Sequence, residues 1–126
     1  MTLTLVTGGT GFLGRHLVAA LRRQGRPVRV LARPGSDASG LEGVPGVELV
    51  RGDVTSADDL RRALRGAQRV FHTAAETRDG QSAEVYRAVN TTAVETLLDL
   101  AHELGVERLV HTSSYFAIGR TGEPRS

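Results

Sequence analysis

Gly8, Gly11 and Gly14 stand three residues apart, directly after the strand-forming run Leu3 to Thr7. The chemistry of such residues is that of bare backbone: amide donors that a bulky anion can approach. Leu13, Leu17 and Leu21 recur at intervals of four from inside the same segment, so these amides open a helix, at its positive end. Gly8 gives the chain a sharp turn where φ is free to be positive. Gly11 lets a pyrophosphate close in on the backbone, and Phe12 and Leu13 are counted with it as binding positions. Gly14 lets the helix lie close against the strand. Strand, glycine turn and helix in this order predict a dinucleotide site; a glycine-rich turn without ligand is the alternative.

Arg33 selects the dinucleotide. NAD-binding units place an acid roughly 20 residues beyond the glycines, to accept from the ribose hydroxyls. Here the second strand ends in Ala32, Arg33 and Pro34, with Asp37 too far along. A guanidinium grips a 2′-phosphate with two parallel hydrogen bonds. The expectation is NADP(H), with NAD as the other choice; a solvated loop arginine is the competing reading. The four histidines stand at no metal-ligand spacing and no cysteine exists, so no metal site is expected. His72 is expected to line the crevice rather than to ionise there. Asp53 either caps the turn after its strand or meets the ligand.

The elements that position these groups follow from pattern. The first helix covers about 12–24 and stops at Gly25. Strands are expected at Pro27–Ala32, Val47–Arg51, Arg69–Thr73 and Glu107–Ser113, the third by alternation. Residues 33–46 are loop-like, with one helical turn at most. Ser56 to Asp59 reads as a capping box opening a helix through Leu64. Val85, Val89, Ala93, Leu97, Leu100 and Leu104 form one stripe of a helix from Ser82 to Leu104. Strands alternating with helices predict an α/β fold, a doubly wound parallel sheet in the order 3-2-1-4-5. The ligand crevice belongs where that order reverses. Strand five then forms a long apolar edge, and the helix missing beside it should leave an exposed apolar face.

Several segments resemble the extended short-chain dehydrogenase/reductase superfamily: Thr7-Gly-Gly-Thr-Gly-Phe-Leu-Gly14, Gly52-Asp-Val-Thr55, Phe71-His-Thr-Ala-Ala75, Val85-Tyr-Arg-Ala-Val-Asn90, and His111-Thr-Ser-Ser114. Thr92-Ala93 stands where that family usually has Gly-Thr. Within the branch the chain is most like dihydroflavonol-reductase-like proteins and the NAD-dependent epimerase/dehydratase group. The resemblance implies a Rossmann-type domain over residues 1–126. It places Asp53 and Val54 at the adenine, and Thr73, Ala74 and Ala75 along the cofactor. Asn90 organises the active-site backbone or is a solvated helix position. Thr112 and Ser113 line the nicotinamide side, and Ser114 hydrogen-bonds the substrate oxygen. The family's proton donor is a tyrosine in Tyr-x-x-x-Lys. Tyr86 and Tyr115 are the only tyrosines, and every basic side chain other than histidine is arginine. A phenol with a pKa of about 10 and no lysine beside it is a poor acid–base at neutral pH.

With 126 residues, 40% of them hydrophobic, the chain suffices for one domain and is short for an α/β enzyme. It holds no apolar run of the roughly 18 residues a span requires and no signal-peptide pattern, so a cytoplasmic location without membrane attachment is expected. Residues 1–69 carry 11 arginines against 6 acids, and residues 70–126 carry 5 against 8. The basic half suits an anionic cofactor. Few aromatics and alternating signs give no reason to invoke nucleic acid. Arg22, Arg23, Arg61, Arg62 and Arg65 read as solvated helix faces. The expectation is the C-terminally incomplete, cofactor-binding part of an NAD(P)-dependent reductase or nucleotide-sugar epimerase, inactive alone. A substrate would be met through the region lacking here, and self-association could use the strand-five edge. A non-catalytic NADP-binding redox sensor or partner-regulated module is the alternative.

Overall fold

The computed structural model describes residues 2–74 and 80–112. Five strands form one parallel sheet, β1 (Thr4–Thr7), β2 (Val28–Ala32), β3 (Val47–Arg51), β4 (Arg69–His72) and β5 (Arg108–His111), in the order β3-β2-β1-β4-β5. This is the predicted topology. The central β1 is buried at all four positions, as a parallel strand covered on both faces must be. Its register is flush: Thr7 lies opposite Leu31 on one side and His72 on the other, and His72 lies opposite His111.

Helix α1 (Phe12–Arg23) follows the glycine turn and buries Gly14, Val18 and Leu21. They join Val6, Val28, Val30, Ala32 and Leu41 in the core on one sheet face. Arg22 and Arg23 sit in its last turn, where positive charge suits the helix dipole. No helix connects β2 to β3. Residues 33–46 make turns only, yet they bury Ala38 and Leu41 and so cover the sheet as a crossover helix would.

Helix α2 (Ala57–Leu64) is capped by Ser56, whose Oγ accepts from the Asp59 amide at 3.2 Å. Only half of the predicted capping box forms, because the Asp59 carboxylate accepts from the Asp53 amide instead, at 2.9 Å. The other end of α2 is held by Arg29 of β2, whose Nη1 donates to the carbonyls of Ala63 (2.7 Å) and Arg65 (2.6 Å). On this second face Leu5, Leu31, Leu60, Leu64, Val70 and Leu97 build the other core.

The helix predicted from Ser82 to Leu104 is present but interrupted. Helix α3 (Ala83–Arg87) passes into a π turn over Ala88–Thr92, closed by the Ala93 amide on the Ala88 carbonyl, and then into α4 (Ala93–Glu103). Asn90, Thr91 and Thr92 are poor helix formers whose side chains compete for backbone groups, and the widened turn falls on them. The apolar stripe survives: Ala93, Leu97 and Leu100 are buried, with Val89 and Leu104 packed alongside.

Strand β5 is shorter and more polar than predicted, with Arg108 and His111 exposed; charge on an edge strand discourages pairing with another chain. Val110 is 44% exposed, over a groove of about 350 Å³ lined by Leu17, Leu21 and Phe71 among others. Three arginines expected to be solvated are engaged. Arg22 donates to the Arg26 carbonyl and packs its guanidinium over Gly46. Arg61 pairs with Glu103, joining α2 to α4, and Arg62 bonds Asp59 and the Arg51 carbonyl. Among the described residues no helix is long and apolar enough to cross a membrane.

Candidate functional site

The carboxyl end of β1 delivers the chain into the glycine turn. Gly8 has φ +67°, and a Cβ there would stand 2.7 Å from Thr73 Oγ1 and 2.8 Å from the Ala74 amide. The residue must therefore be glycine for both conformation and space. A Cβ on Gly14 would collide with the Gly8 carbonyl, and one on Gly9 with Val30. Gly14 thus seats the helix against the turn itself, and Gly9, which the spacing argument missed, seats the turn against β2. Gly11 is the helix cap and has no side-chain hydrogen bond to the first amides; no acid stands in the first turn. The helix opens as a bare donor surface, and an added Cβ at Gly11 would have only the Gly8 carbonyl within 4 Å, at 3.4 Å.

Beside this turn lies a crevice of about 900 Å³, within the size range of cofactor sites. It runs between the ends of β1, β2 and β4, where the strand order reverses. Gly8, Thr10 and Gly11 form one wall, and Thr73 and Ala74 rise from β4. Asp53 and Val54 enter after β3; Val85, Ala88 and Val89 close it from α3 and the π turn; Arg33 and Ser36 stand at the β2 end. Arg33 is exposed, and its guanidinium has no partner among the described residues. The crevice therefore pairs a helix N-terminus with an uncommitted cation, which suits an elongated dianionic or trianionic ligand. The donor set fits a nicotinamide dinucleotide.

The predicted residues Gly8, Gly11, Arg33, Asp53, Val54, Thr73 and Ala74 all line this crevice. Gly14 is buried beneath the turn, and the side chains of Phe12 and Leu13 point out, 83% and 43% exposed; what these two offer is backbone. Asn90 is exposed on the π turn. Thr112 directly follows β5, its amide donating to the His72 carbonyl at 3.0 Å. Ala75, Ser113 and Ser114 lie outside the described residues. Asp53 combines both of its readings: Oδ1 accepts from the Thr55 amide (2.8 Å) and hydroxyl (2.7 Å), fixing the turn, while the residue faces the crevice.

His72 differs from its expectation. It does not line the crevice; it is fully buried beneath it. Thr7 Oγ1 accepts from the amides of Thr73 (3.1 Å) and Ala74 (3.3 Å), so its proton goes to His72 Nδ1, 2.7 Å away. The neutral ring then carries its hydrogen on Nε2, which has no partner among the described residues. Burial, with a smaller contribution from the stacked His111 ring, lowers the His72 pKa to about 4. His72 stays neutral at physiological pH, as expected. Thr7, which the sequence shows only as a strand residue, is the bond that fastens the glycine turn to the β4 wall. Among the described residues no group of three His, Cys, Asp or Glu side chains is placed to hold a metal ion.

The family model described as NAD dependent epimerase/dehydratase family matches residues 4–126. The chain belongs to that family. Among relatives of this epimerase/dehydratase chain, "Sterol demethylase protein B" of Methylococcus capsulatus is 44% identical over 118 residues, covering 92% of the chain and 35% of the relative. A "Putative dihydroflavonol 4-reductase" of Synechocystis is 40% identical over 122 residues, covering 94% and 34%. The chain thus spans about a third of the length of these curated relatives. Among solved structures, the Bordetella bronchiseptica enzyme WbmG in complex with NAD superposes with a TM-score of 0.86 at 28% identity, over 96% of this chain and 40% of that one. The crevice of this family member, at the switch point of a 3-2-1-4-5 sheet, is where such a fold takes a dinucleotide.

Proposed function

We propose that these 126 residues form the NADP(H)-binding domain of an oxidoreductase or epimerase. Its substrate is a carbonyl or alcohol compound, or a nucleotide sugar. The observation that carries the reading is the crevice itself, with bare helix amides at one end and the unpartnered Arg33 guanidinium at the other. The amides at Gly11, Phe12 and Leu13 hold the diphosphate; Asp53 and Val54 border the adenine; Arg33 grips the 2′-phosphate. A bound nicotinamide ring supplies a hydride donor or acceptor. In this reading Ser114 orients the substrate oxygen. The chain contains no lysine, so these residues hold no Tyr-x-x-x-Lys pair. Relatives named for a reductase and for a sterol enzyme, together with the NAD-bound WbmG structure, support the class of chemistry.

The test is a fluorescence titration of NADPH and NADH against the wild type and Arg33→Ala. The expected result is tighter binding of NADPH by the wild type. Arg33→Ala should weaken NADPH about tenfold or more, a loss of about 1.4 kcal/mol, in the range of a charge-assisted hydrogen bond, and leave NADH unchanged. An unaltered NADPH/NADH ratio removes the NADP assignment, and failure to bind either dinucleotide removes the domain assignment.

A further inference from the structure

Two arginines near the β2 end of the crevice are committed, chiefly to backbone carbonyls, and Arg51 also pairs through Nη2 with the Glu42 carboxylate (3.5 Å). Arg15 donates through Nε to the Thr10 carbonyl (2.9 Å), through Nη1 to that of Ser39 (2.8 Å) and through Nη2 to that of Asp37 (2.7 Å). One guanidinium therefore ties the glycine turn to the loop after β2. Arg51 approaches the same loop from β3, its Nη1 donating to the carbonyls of Arg33 (3.0 Å) and Ser36 (2.8 Å) and to Ser36 Oγ (3.0 Å). The loop has no helix or strand to hold it, and its acid is also committed: Asp37 Oδ1 accepts from the Ser39 amide at 2.9 Å. Arg33 is the cation in this cluster left without a partner.

We propose that Arg15 and Arg51 are positioning residues for cofactor choice: together they brace residues 33–39 so that Arg33 faces the adenosine end of the crevice. The inference rests on the NADP reading above. At Arg15 a planar fork is required, because three carbonyls on two rims lie around one group, and an ammonium, with its three donors on one nitrogen, cannot span them. At Arg51 the bonds to residues 33–36 all leave one nitrogen, Nη1, so that brace is removed by Arg51→Met. Arg15→Lys keeps the positive charge and removes the other brace. It thereby separates positioning from simple attraction of a phosphate.

The experiment measures dissociation constants for NADPH and NADH on the full chain in the wild type, Arg15→Lys, Arg51→Met, Arg33→Ala and the Arg15→Lys/Arg33→Ala double variant. Arg15→Lys and Arg51→Met are expected to lower the NADPH preference about fivefold or more, with NADH affinity held within about twofold. The double variant should be no less selective than Arg33→Ala, since residues acting through one another are not additive. The proposal is overturned if Arg15→Lys and Arg51→Met keep the wild-type preference, or weaken both cofactors equally, or if Arg15→Lys adds its full effect on top of Arg33→Ala. Should Arg15→Lys lose NADH binding through misfolding, Arg51→Met decides, because its side chain touches no part of the glycine turn. If Arg33→Ala itself leaves the preference unchanged, the NADP reading fails and this proposal with it. Loss of preference in Arg33→Ala alone defeats only the bracing.

Discussion

Thr7 and His72 form a fully buried polar pair on the adjacent strands β1 and β4. Their bond favours neutral imidazole, and burial opposes its charging. Unfolded, the ring takes a proton below about 6.5; folded, it does so only near 4. Between those values the unfolded chain binds the additional proton. Stability is therefore complete above about pH 6.5 and is lost as pH falls toward 4, by on the order of 3 kcal/mol for this ring. Urea melts from pH 7 to 4.5 should show that slope, and His72→Asn should flatten it. The carboxylates held low, Asp37 by Ser39, Asp59 by the Asp53 amide and Glu103 by Arg61, contribute above their usual pKa values of 3.8 and 4.5 and are lost only below them, so the windows separate. Neither partner's role is visible in the chain order, since 65 residues separate them. Arg33, by contrast, was legible, because its place at the end of β2 follows from pattern alone.

At the scale of elements, α1 shows packing overriding propensity. Alanine is favoured over glycine within a helix by about 1 kcal/mol, yet a Cβ at Gly14 meets the Gly8 carbonyl. Gly14→Ala is expected to lower stability by about 1–3 kcal/mol and to weaken both dinucleotides alike, read by thermal melts and titration. A gain in stability would show that the helix shifts to make room. The helix from Ala83 to Glu103 was legible as an apolar stripe of period 3.6, but its π turn was not. That widening depends on which backbone carbonyl captures the Ala93 amide, a choice periodicity does not encode. The β2–β3 connection was legible as loop from its glycines and prolines. The hydrogen bonds that tie it down were not, because they come from side chains on α1 and β3, Arg15 and Arg51, whose reach periodicity does not encode.

At the scale of the molecule, strand order followed from alternation of elements and the right-handed crossover rule, and the crevice from the order reversal. Because β1, β2 and β4 each supply a rim of that crevice, a bound dinucleotide must stabilise the sheet as a whole. With free NADPH at 100 times its dissociation constant, linkage adds about 2.7 kcal/mol. For a domain of this size that is a rise in Tm of roughly 10 °C, to be checked by calorimetry; an unchanged Tm at saturation would contradict a site built from the sheet ends. Arg29 has a reach of the same kind. Its guanidinium holds the last carbonyls of α2, while the opposite end of that helix, through Asp59, holds the Asp53 amide. Helix α2 is in effect a strut pinned at both ends, so loosening its distant anchor on β2 must let the turn at Asp53, one wall of the crevice, drift.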